Sequence, residues 1–290
     1  MKQFYLSEIV TKDKLVHQGI FYEPKAKGNR AILYVHGLSS VFYNEPVMTG
    51  MFADACETEG MAFASFNTRG HDMIAGIRKI DGTPPYGYSY FPGGAGYEAF
   101  KDSVLDIEAG IDFLVRHGFK DIILVGHSTG ANKVCFFAAT QKNLHVIASV
   151  LSGPMSDRLS SPKDAKQLSF MRKLVKKGKG DELLLGHHFF PLTAKRYLSL
   201  YEPGSTEDVF DYGDKNPKLT YFSRITMPLL VVLSGKDEAA DRPITDIQQI
   251  FDAKAKASTY KSVIIPDAPH RFNGYETLAV STIVEWIKSI

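Results

Sequence analysis

Short, nearly continuous apolar runs recur along the chain at residues 31–35, 61–66, 122–125, 146–151, 229–233 and 262–265. Runs of this length without polar alternation predict strands buried on both faces, as in a parallel sheet. Helical spacing fills the gaps between them. From Tyr97 to His117, Phe100, Val104, Ile107, Ile111 and Leu114 step by three or four, and Gly118 follows as a stop signal. Leu278, Ile283, Trp286 and Ile287 give residues 275–290 one apolar face, and residues 131–140 also read as helix. Alternating strands and helices predict a doubly wound, mostly parallel α/β sheet, with residues 2–23 forming antiparallel edge strands.

The alternation breaks between about Ser152 and Thr226. Helix-like pieces at 163–177 and 193–200 are separated there by Gly and Pro, with no strong strand pattern. A structureless loop of that length does not suit a compact domain. The expected organisation is a core of residues 1–151 and 227–290 carrying a mostly helical cap at 152–226.

Composition adds limits rather than detail. Of the 290 residues, 44% are hydrophobic and 23% charged, as in globular domains, and the formal charge is only +2. The one dense basic patch, Arg172 to Lys179, is followed at once by Asp181 and Glu182 and reads as a solvated helix face. Neither nucleic acid nor membrane is an expected partner, no signal peptide or membrane span is expected, and cytoplasmic residence is the default. Cys56 and Cys135 stand apart in helical segments and are expected as buried thiols.

The chemistry-bearing pattern is Gly126-His127-Ser128-Thr129-Gly130, between an apolar run and a helical stretch. A strand–turn–helix context makes G-x-S-x-G a nucleophile elbow. The tight turn leaves no room for side chains at Gly126 and Gly130, and it lifts Ser128 to the start of a helix whose free N–H groups favour negative charge. A serine hydroxyl needs a base to attack at neutral pH. His270, in Ala268-Pro269-His270 after the last apolar run, is the candidate base among nine histidines. Asp237, after the 229–233 run, is the candidate acid, with Glu238 and Asp267 as rivals. An oxyanion hole would use the backbone N–H groups of Thr129 and of Leu38, which follows His36-Gly37 after the first buried run.

Together, His36-Gly37-Leu38, Gly126-His127-Ser128-Thr129-Gly130, Gly235-Lys236-Asp237-Glu238 and Ala268-Pro269-His270 resemble the α/β-hydrolase superfamily. The turn Phe66-Asn67-Thr68-Arg69-Gly70-His71 is similar to one in esterase- and acylaminopeptidase-like members. Residues in the cap look similar to hydrolases related to fungal siderophore esterases. The resemblance implies a Ser128–His270–Asp237 triad and acyl transfer. A serine at the elbow, rather than aspartate, argues against epoxide-hydrolase and dehalogenase chemistry. The expected activity is hydrolysis of an ester of a small or medium organic acid by a monomer or homodimer that needs no cofactor. Amide, thioester or C–C hydrolysis is the alternative within enzymes, and a non-catalytic ligand receptor is the alternative outside them. His36, His127 and the pair His187-His188 are expected to pack or hold loops. The aromatics Tyr86, Tyr88, Tyr90, Phe91 and Tyr97 around a Gly-rich stretch read as a loop that either lines an acyl pocket or only packs.

Overall fold

The computed structural model describes residues 2–160 and 164–290. The chain opens with β1 (Tyr5–Val10), β2 (Val16–Tyr22), β3 (Arg30–Val35), α1 (Pro46–Glu59) and β4 (Ala62–Phe66). A hairpin of β5 (Ala75–Ile80) and β6 (Tyr88–Gly93) comes next, then α2 (Ser103–Arg116), β7 (Asp121–His127), α3 (Thr129–Thr140) and β8 (Val146–Ser152). Beyond β8 lie α4 (Asp157–Ser160), α5 (Ala165–Lys176), β9 (Leu183–Leu184), β10 (Leu192–Thr193) and α6 (Ala194–Tyr201). The chain closes with β11 (Leu229–Ser234), α7 (Ile244–Lys254), β12 (Tyr260–Ile265) and α8 (Glu276–Lys288).

The sheet has eight strands in the order β1-β2-β4-β3-β7-β8-β11-β12. From β4 to β12 every pairing is parallel, while β1–β2 and β2–β4 are antiparallel. The doubly wound sheet and its antiparallel edge match the apolar pattern. Alternation within a strand sends successive side chains to opposite faces. On β3, Ala31, Leu33 and Val35 join the core under α2, α3 and α7, whereas Ile32 and Tyr34 join the core under α1 and α8. A strand sandwiched this way must be apolar throughout, which explains the unbroken run.

Differences from the sequence pattern cluster where tertiary contacts overrule local signals. Residues 88–93 are not loop but strand β6, because Tyr90 and Phe91 pair with Arg78 and Ile77 across the hairpin. Helix α2 begins at Ser103 rather than Tyr97, since Glu98 turns inward to Lys133 and Arg196. Between β8 and β11 the described residues carry α4, α5 and α6, long loops and the short β9–β10 pair, so the segment is less helical than its spacing suggests. Helix α5 is capped by Asp164, whose side chain accepts from Gln167 N, and α6 by Thr193, which accepts from Arg196 N. The start expected at Lys163 lies outside the described residues. No helix among the described residues is long and apolar enough to cross a membrane.

Candidate active site

Ser128 is the junction between β7 and α3. Its φ of 56° and ψ of −126° lie outside the regions that non-glycine residues favour. Its N–H donates to Ser152 O at 2.9 Å and its carbonyl accepts from Ala131 N at 2.8 Å, so the turn is tied to β8 and α3. A Cβ at Gly126 would lie 2.3 Å from Gly130 O, and one at Gly130 would lie 2.1 Å from Val35 O. The backbone closure itself therefore requires both glycines.

β11 and β12 are adjacent parallel strands, and the loops leaving them are stitched by Gly235 N to Ile265 O and Lys236 N to Ala268 O, both at 2.9 Å. That stitching brings Asp237 and His270 together from separate elements. His270 Nε2 lies 2.8 Å from Ser128 Oγ, and His270 Nδ1 lies 2.8 Å from Asp237 Oδ2. A carboxylate only accepts, so Nδ1 carries the proton and Nε2 is left to accept from the serine hydroxyl. Asp237 Oδ1 accepts from Ala239 N at 3.0 Å, which fixes the carboxylate plane. The two rival acids stand elsewhere. Glu238 Oε2 accepts the backbone N–H of His270 at 2.8 Å, and Asp267 pairs with Lys236 at the surface.

The 36–38 turn leans on the elbow. A Cβ at Gly37 would sit 3.0 Å from Ser128 Cβ and 3.5 Å from its Oγ, so a side chain there would press on the nucleophile turn. His36 is buried, and its Nε2 accepts from Thr68 N at 3.0 Å. The remaining proton is then on Nδ1, which donates to Gly37 O at 3.0 Å. Burial, helped by the Lys133 cation, lowers the His36 pKa to about 4 and keeps the ring neutral. In a planar trans peptide the carbonyl and the next N–H point opposite ways. Holding Gly37 O therefore aims the Leu38 N–H away from His36. Thr129 is the first residue of α3, where N–H groups have no partner within the helix.

Thr68 belongs to the turn after β4. Asp106 anchors that turn by accepting from Arg69 N at 2.8 Å and from its guanidinium at 2.9 Å. Thr68 Oγ1 also accepts from Lys133 Nζ at 3.1 Å, and Lys133 lies 2.6 Å from Glu98. Glu98 meets Arg196 of α6 at 3.3 Å, and Arg196 also pairs with Glu207. This chain of buried charges was not legible in sequence, because Lys133, Glu98, Arg196 and Glu207 lie on four separate segments. Leu38 in turn packs against a buried cluster that joins Ala95 to Met171, Phe190, Leu192, Tyr197 and Leu200 from the segment between β8 and β11.

A cavity of about 870 Å³ opens between β6, the 97–101 turn and α6. Phe91, Tyr97, Lys101 and Arg196 line it, and Ser128, Asp237 and His270 do not. Tyr86 and Tyr90 are exposed, so these two aromatics face solvent. His188 packs on the rings of Phe189 and Phe190, with centroids 4.3 and 4.2 Å away. Cys56 and Cys135 are free and buried, and burial pushes both thiols well up. Among the described residues no group of three or more His, Cys, Asp or Glu side chains could hold a metal ion.

The model of a family described as "Protein of unknown function (DUF1749)" matches residues 86–290. No curated protein matches the chain in sequence. Solved structures resemble it over nearly its whole length. Est1E from Butyrivibrio proteoclasticus, seen with ferulic acid bound, is 17% identical with a TM-score of 0.65, covering 98% of each chain. Siderophore hydrolase EstB from Aspergillus fumigatus has the same identity, TM-score and coverage. Esterase Pf2001 from Pyrococcus furiosus is 17% identical with a TM-score of 0.62, covering 99% of this chain and 91% of the other. At such identities the likeness speaks to fold, which is that of the α/β-hydrolases.

Proposed function

We propose that this chain, which belongs to the DUF1749 family of proteins of unknown function, is a serine hydrolase. It cleaves a carboxylic ester of a small or medium organic acid through an acyl-enzyme on Ser128. One observation carries the reading: the His270 ring spans Asp237 and Ser128 with 2.8 Å on each side. His270 Nε2 takes the Ser128 proton as Oγ attacks the ester carbonyl. The N–H groups of Leu38 and Thr129 receive the oxyanion. His270 then protonates the leaving alkoxide. In the second half it draws a proton from water, which attacks the acyl carbon, and then gives that proton to Ser128 Oγ as the acid is released. Asp237 holds the ring in the required tautomer throughout. The 152–226 segment acts as a cap, since its apolar side chains supply most of the buried cluster that Leu38 packs against.

Three fold relatives are named esterase or siderophore hydrolase, or hold ferulic acid, which supports an ester of an organic acid as the substrate class. The test combines labelling by a fluorophosphonate probe with product release from an activated ester. Both are expected to vanish in Ser128→Ala, with hydrolysis falling by about 10³-fold or more. Absence of label on Ser128 in the parent would defeat the proposal. Matched ester, thioester and amide substrates then rank the possible bonds.

A further inference from the structure

We infer that His127 is a positioning residue for His270: Glu45 keeps it doubly protonated, and it holds the catalytic loop while presenting a positive charge to it. The inference rests on His270 being the general base. His127 is buried, and each of its ring nitrogens faces an acceptor. Nε2 lies 3.0 Å from the carbonyl oxygen of His270. Nδ1 lies 3.5 Å from Glu45 Oε1. Neither a carbonyl nor a carboxylate can donate, so both contacts are favourable together only when both nitrogens carry hydrogen. A neutral ring would turn a lone pair toward one of these oxygens.

Glu45 is suited to that task. Its other oxygen accepts the Tyr34 hydroxyl at 2.5 Å. Burial favours its protonation, but His127 and Tyr34 outweigh burial and hold the carboxyl at about 2. Burial likewise acts against a charged His127, and Glu45 together with the His270 carbonyl overcomes it, so the His127 pKa is raised. The other charged neighbour is Arg271, on the same loop as His270, which opposes the charge without cancelling it. Phe272 covers the ring with its centroid 5.9 Å away.

Two consequences follow for His270. Its main chain is gripped on both sides. The carbonyl is held by His127 and, at 3.4 Å, by Ser234 Oγ, while the N–H is held by Glu238. Its ring centroid also lies 5.3 Å from that of His127. A cation that close disfavours a second one. The charge thus faces the catalytic ring with a sign opposite to that of Asp237.

The test uses the full chain. Ring-nitrogen NMR is expected to find His127 doubly protonated at pH 7 in the parent and neutral in Glu45→Gln. In kcat/KM profiles for an activated ester, His127→Gln keeps an amide donor for the His270 carbonyl but removes the charge. The acid limb is expected to move to higher pH by about one unit. Glu45→Gln moves it less, because a carboxylate is lost together with the imidazolium, and His127→Gln adds little in that background. A purely structural role would lower the plateau and leave the limb in place. A neutral His127 in the parent, or an unmoved limb in both variants, overturns the inference. Should His127→Gln not fold, Glu45→Gln and the parent spectrum decide. Failure of the hydrolase reading shows separately, as absence of Ser128-dependent turnover, and the ring spectra test His127 even then.

Discussion

A single buried imidazole sets the direction of one candidate oxyanion amide. His36 accepts from Thr68 and donates to Gly37 O, so its neutral form aims the Leu38 N–H. With its pKa lowered to about 4, the native ring protonates well after the unfolded one as pH falls. Stability from this group is intact above about pH 6.5 and drains between there and pH 4. The loss amounts to about 3 kcal/mol for a group buried this fully. In His36→Gln that slope is expected to disappear. Urea unfolding of parent and variant across pH 7 to 4 checks it, since the stability difference between them should shrink by about that amount. Asp157, raised to about 7 by burial and the Glu207 carboxylate, has an opposite slope that is common to both proteins and cancels in the comparison.

At the scale of elements, α3 carries both the nucleophile turn and, one turn on, Lys133. The Lys133 ammonium is buried between Thr68 and Glu98, and Glu98 reaches Arg196 on α6. A buried ion pair gives little net stability over an apolar replacement of the whole, yet removing one partner leaves the other uncompensated. Lys133→Met is expected to cost about 3–5 kcal/mol. Adding Glu98→Gln should recover part of it. Denaturant midpoints of the single and double variants measure this, and recovery in the double variant distinguishes loss of charge balance from loss of packing.

For the whole molecule, the same network joins the segment between β8 and β11 to the sheet. Arg196 lies between Glu98, ahead of α2, and Glu207, beyond α6. Opening that segment alone would strand these charges in a partly dry interior, at several kcal/mol. Unfolding is therefore expected as one transition. Fluorescence of Trp286, the sole tryptophan and buried on α8, should follow the same denaturant curve as far-ultraviolet circular dichroism. A dichroism change that precedes the fluorescence change would show the segment releasing first.

Much of this architecture is written in local pattern. An apolar run as short as residues 229–233, bounded by turn residues, reads as a strand covered on both sides, and Gly126 and Gly130 announce a turn too tight for side chains. Ser128, His270 and Asp237 were legible because each follows a buried strand, and parallel strands deliver their following loops to one edge. The partners of those residues were not legible. Glu45 reaches His127, Thr68 reaches His36 and Glu238 caps the His270 N–H across segments with no shared period or motif. Hairpin β5–β6 was hidden as well, since its aromatics find their register only against the opposing strand. Local spacing determines most of the elements that form, while packing sets the start of α2 and the β5–β6 pair. Which carboxylate meets which imidazole is decided by packing, because a hydrogen bond depends on distance in space and a buried charge is stable only where the fold supplies its partner.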